Sequence, residues 1–102
     1  MAHFPTIVSS ASSHLQRLFD VEHLPSSDLE ALHFKLSGLV LHLLQQDLSR
    51  LLHILYRVDV EERQVKEAMV ADDAEIIADR ISRLIIKREM QKAQTRIKYS
   101  QN

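Results

Sequence analysis

Eleven leucines fall between Leu29 and Leu55, with an acidic side chain, Asp47, deep in their midst. Read as one helix from Leu29 to Val58, the stretch would place Asp47 at the centre of its apolar face. A carboxylate there needs a helix break, a second chain or a buried polar site, because an unpaired buried charge is costly. Length helps to choose among these. Thirty residues of helix span about 45 Å, whereas a compact chain of this size has a diameter of roughly 34 Å. An unbroken helix would protrude and expose leucine. The sequence therefore predicts a break at Gln45–Gln46–Asp47, with the Asp47 carboxylate capping the next helix. The unbroken alternative requires a dimer that buries the surplus and pairs Asp47.

The other segments read as helices on the same logic. The chain of 102 residues allows one domain, 1–102, and one core. Its only glycine is Gly38 and its prolines are Pro5 and Pro25, so tight hairpins and phosphate-cradling loops are disfavoured. Leu, Ala, Glu, Arg, Lys and Gln are good helix formers. Pro5 suits a first turn, and Ile7, Val8, Ala11, Leu15, Leu18 and Phe19 give one apolar face before a stop at Asp20–Leu24. Ser27 and Glu30 form a capping box ahead of Leu29, Leu32, Leu36, Leu39, Val40, Leu43 and Leu44. Asp59 with Glu62 opens a helix expected over Val60–Val70. Asp72 or Asp73 caps a last, long helix reaching about Lys98. The expected fold is an all-α compact bundle of four to five helices with a long C-terminal helix.

That last helix carries two apolar stripes. Ala74, Ile77, Ala78, Ile81, Leu84 and Ile85 form one. Ile86, Met90, Ala93 and Ile97 form another, rotated by well over 90° at the helical period and spaced as in a coiled coil. One helix cannot bury both stripes against the same small core, so either the end frays and stays exposed or the second stripe meets another chain; residues 86–99 are expected to act as a dimerisation arm. Ile86, Met90, Ala93 and Ile97 would be its contact surface, flanked by Lys87 and Arg96. A homodimer follows as the expected assembly.

Reaction chemistry is not evident. Without cysteine, disulfides, thiolate metal sites and cysteine nucleophiles are excluded. The six histidines, His3, His14, His23, His33, His42 and His53, form no H-x-x-x-H pair. His42 and His53 would stand about 16 Å apart on an unbroken helix, too far for one metal. His33 projects toward the apolar side and is expected to be partly buried and hydrogen-bonded. Asp72, Asp73, Glu75 and Asp79 lack the glycine and alternating ligands of a calcium loop; caps and dipole complementarity account for them. Tyr56 and Arg57 beside Asp59 and Glu62 are the most plausible place for a small polar site, though turn and cap roles explain the same residues. No catalytic, cofactor or metal residue is assigned, and no enzyme activity is expected.

Charge is uneven. Residues 59–86 carry eight acidic and four basic side chains, and 87–102 carry five basic and one acidic. The basic end, with Lys87, Arg88, Lys92, Arg96, Lys98 and Tyr99, could meet phosphates. A helix pair over Leu48–Val70 matches a helix-turn-helix in length only, since its second helix is acidic. Met1–Ser13 lacks the features of a secretory signal, and the charge-free run Leu36–Gln46 is too short to span a bilayer; a cytoplasmic location is the expectation. The sequence thus predicts a non-enzymatic helical protein–protein interaction or oligomerisation module, with nucleic-acid association through the basic C-terminal helix as the alternative.

Overall fold

The break at Asp47 is where the leucine stretch divides. In the computed structural model, which describes residues 4–100, the chain forms helices α1 (Phe4–Phe19), α2 (Leu29–Gln46), α3 (Leu48–Val58), α4 (Glu62–Ala68) and α5 (Ala74–Ser100). The described residues contain no strand. Asp47 closes α2 through its own N–H, bonded to the Leu43 carbonyl at 2.8 Å. Its carboxylate accepts from the Arg50 N–H at 3.1 Å and so opens α3. The exposed side chain is stabilised by a cap worth about 1 kcal/mol, and no buried partner is needed. With the chain redirected, Leu32, Leu36, Val40 and Leu43 of α2 and Leu51, Ile54, Leu55 and Val58 of α3 enter one core.

Helix α5 is the spine. Its 27 residues span about 40 Å, nearly the 45 Å long axis of the molecule. It packs against α1, α2, α3 and α4. Because α2 has only 18 residues, about 27 Å, α5 outruns it, and the two ends of α5 meet different neighbours. Ala78, Ile81 and Ile85 join the core shared with α2. Further along, Ala93 is fully buried against Ile7 and Ala11 of α1, with Met90 and Ile97 packed beside them.

Several caps differ from the sequence expectation. Asp28, rather than Ser27, caps α2 by accepting from the N–H groups of Glu30 and Ala31; its shorter reach to those two donors displaces the serine–glutamate box. Asp59 ends α3 in a left-handed conformation, φ 68°, a state that aspartate tolerates better than most residues. It therefore cannot open α4, which is only Glu62–Ala68 and starts after Glu61 without a side-chain cap. Asp73 opens α5, accepting from Glu75 N–H at 2.9 Å. The α1–α2 connection is tied by side chains: Ser12 donates to the Leu24 carbonyl, Gln16 accepts from Leu24 N–H, and Arg50 donates to the Phe19 carbonyl. These bonds seat Leu24, fully buried, in the core.

Candidate interaction groove

An apolar surface that lacks cover lies on α2, beside the first half of α5. A groove of about 720 Å³ runs between α2 and the first half of α5. Leu29, Phe34, Leu41 and Ala78 give it an apolar lining. Phe34 is 83% exposed, which is unusual for a large aromatic ring that loses most by facing water. Gly38 lies on the same wall, and a Cβ there would meet nothing within 4 Å. The absent side chain leaves backbone open to close approach. Ser37 contributes a buried hydroxyl with no hydrogen-bond partner, a state that costs stability until something supplies a partner. Glu30, Glu75 and Asp79 make the rim acidic around a single arginine, Arg83. A smaller depression past Leu29 and His33 continues the seam to Ile86, Lys87 and Met90.

A histidine holds the wall of this groove in place. His33 of α2 reaches α5, where Nε2–H donates to Asp79 Oδ1 at 2.7 Å. Arg83 donates to the other carboxylate oxygen at 3.1 Å. The His33 hydrogen bond, supported by the bond and charge of Arg83, holds the Asp79 carboxyl below its ordinary value of 3.8 despite some loss of hydration. On the far side of the ring, Ser82 Oγ stands 3.3 Å from Nδ1 and 3.4 Å from the His33 carbonyl. Serine, histidine and aspartate thus fall in the order of a hydrolytic triad, but the surroundings do not serve that chemistry. Ser82 is fully buried in mid-α5, out of reach of a substrate. The N–H groups around it belong to the helix ladder and cannot receive an oxyanion. The trio ties α2 to α5.

A second histidine does the same for α1. His14 Nδ1 lies 2.6 Å from Glu89 Oε2, and Glu89 is fully buried. The contact joins α1 to α5 by a side-chain hydrogen bond. Lys92 stands 3.4 Å from the other oxygen. That is an ion-pair distance without hydrogen-bond alignment, since the ammonium is directed at the Val58 carbonyl at 3.1 Å.

The residues expected to form a dimerisation arm are placed otherwise. Ile86, 6% exposed, belongs to the main core, and Ala93 is wholly covered by α1. Met90 and Ile97 are half-buried beside them. Of the six named residues only Lys87 and Arg96 are exposed, and Arg96 donates to Ser10 of α1. The rotated stripe finds its cover inside the chain, because α1 lies against the part of α5 that extends beyond α2. It gives no reason for a second copy to bind at residues 86–99. Glu89, three residues after Ile86 and four before Ala93, shares their face; that spacing was the available signal for its burial.

The remaining candidates separate. Tyr56 is 84% exposed, while Arg57 borders a different shallow depression with Asp47, Arg50 and His53, so the two do not converge on a pocket. Among the described residues no three His, Asp or Glu side chains gather as metal ligands. His3 lies outside the described residues. On the basic end, Arg88 pairs with Asp59, Lys92 with Glu89 and Arg96 with Ser10. No helix among the described residues is long and apolar enough to cross a membrane.

Over the described residues, fold and geometry define an all-α, five-helix bundle with an open lateral groove. Comparison with protein-family models, curated proteins and solved structures finds no match.

Proposed function

We propose that this chain is a non-enzymatic helical module that works by protein–protein contact through the α2–α5 groove. The observation that carries the reading is Phe34, 83% exposed on the wall of the groove between α2 and α5. A stable fold gains nothing from that ring in water, whereas an interface gains an aromatic anchor. The open backbone at Gly38 and the orphan Ser37 hydroxyl favour a partner that comes close to α2 and offers a polar group. The acidic rim favours a partner with basic flanks. A helix laid in the groove is the mode of recognition such a shape suits. Nucleic-acid binding through the C-terminal helix draws less support, since Arg88 and Lys92 are paired with carboxylates.

The test is a titration of isotope-labelled protein with synthetic amphipathic helical peptides of basic, neutral and acidic flanks, followed by NMR. The expected result is saturable shifts confined to the amides of residues such as Phe34, Gly38, Leu41 and Ala78, strongest for the basic peptide. Phe34→Asp should abolish them. If no peptide shifts these amides, the reading is wrong.

A further inference from the structure

Helix α3 carries a second uncovered apolar feature. Leu48, Leu52 and Tyr56 lie four residues apart and are 45%, 47% and 84% exposed. At that spacing they form a ladder on one face of α3 over about 12 Å. None of the three lines the groove of its own molecule, so one chain cannot fill its groove with its own ladder. The molecule thus presents an apolar concavity and an apolar ridge at separate places.

Resting on the groove reading above, we infer that the occupant is the α3 ladder of a second copy of this chain, in a two-fold symmetric dimer where each ladder fills the other's groove. Three observations choose this occupant. The first is economy of surface. Phe34 and Tyr56 are each more than four-fifths exposed, and covering both removes roughly 250–400 Å² per copy. That is a large share of the ~800 Å² per partner in a stable complex, and one reciprocal contact covers both features. The second is charge. Arg57 is exposed at the end of the ladder, and Glu30, Glu75 and Asp79 line the groove. The third is hydrogen bonding. Ser37 is the buried groove hydroxyl without a partner, and Tyr56 brings the one hydroxyl on the ladder. A reciprocal contact closes at two copies and does not propagate into a fibre.

The experiment is sedimentation equilibrium of the full chain over a wide concentration range. The expected result is a monomer–dimer equilibrium weakened by salt. Tyr56→Ala and Phe34→Asp should each raise the dissociation constant about tenfold or more. Circular dichroism should show unchanged folding, because both side chains are exposed. Glu75→Arg and Arg57→Glu should each weaken the dimer alone, and mixing the two variants should restore it, since one contact then keeps its native charges and the other has them exchanged. Loss of the dimer in both apolar variants together with rescue in the mixture supports the assignment. A dimer lost with Phe34→Asp but indifferent to Tyr56→Ala and to mixing overturns the ladder and leaves the groove reading intact. A monomer at all concentrations overturns the inference, and the peptide titration then decides the groove reading separately.

Discussion

Replacing Ala93 by leucine probes the seam between α1 and α5, where the structure departs most from the sequence expectation. Ala93 is fully buried, and Ile7 and Ala11, at 8% and 0% exposure, cover it. Two alanines facing each other let the helices approach closely. Three added carbons must be fitted among side chains that are already buried, so α1 must shift or the new side chain must leave its preferred rotamer. Overpacking of this kind costs about 1–3 kcal/mol. For a domain near 100 residues each kcal/mol moves the midpoint by about 4–8 °C. The expected loss is therefore roughly 4–24 °C in Tm, read by far-UV circular dichroism, with the matching drop in urea midpoint at constant slope. Were residues 86–99 an exposed arm, the same change would leave the Tm of the monomer untouched and strengthen association. An unchanged Tm, or a variant that gains stability with concentration, refutes the packing of α1 on α5.

The other predictions concern the two histidine ties and the open wall of α2. His14→Ala removes the aligned partner of a fully buried carboxylate and should cost about 3 kcal/mol in urea unfolding; a loss under about 1 kcal/mol would mean that water or Lys92 satisfies Glu89 instead. Asp79 has a folded pKa below its ordinary 3.8, so its contribution is fully present above the unfolded value and disappears as pH falls through the folded one. Stability of the wild type should consequently fall more steeply below about pH 4 than that of Asp79→Asn, and parallel acid profiles would contradict the tie to His33. Gly38→Ala adds a methyl group where nothing lies within 4 Å, inside a helix, and should stabilise by about 0.5–1 kcal/mol; destabilisation would show that the wall is already filled.

The legible parts of this chain are those set by neighbours in sequence. Helical periodicity, the scarcity of glycine and the capping chemistry of Asp47 all act within a few residues, and they gave the all-α class and the break in the leucine stretch. Cap competition is nearly as local, yet Ser27 and Asp28 differ by one position. The choice between them depended on which side chain faces the first N–H groups. Asp59 shows the same limit. Its sequence context suits an N-cap, but the backbone uses its tolerance of positive φ to end α3. The histidine ties were out of reach for another reason. His33 and Asp79 are 46 residues apart, and His14 and Glu89 are 75 apart, so no spacing rule joins them.

The two stripes of α5 carry the wider lesson about reading an interface from periodicity. A stripe says that a helix face will be covered, but it does not say by what. α5 is longer than any other helix of the bundle, so successive turns of it lie against different neighbours, and its buried face can rotate along its length as those neighbours change. Ile86 falls under the core shared with α2 and α3, Ala93 falls under α1, and both are satisfied within one chain. The reverse error is possible on α2 and α3. Leu48 and Leu52 lie on the apolar stripe that follows Asp47, and Phe34 and Tyr56 are large aromatics, yet all four remain 45–84% exposed, because the turn at Asp47 presents only one side of each helix to that core. The helix break that removes the charge conflict of the Leu29–Val58 stretch also leaves its surplus apolar residues outside. That surplus, more than the rotated stripe of α5, is where a partner has something to gain.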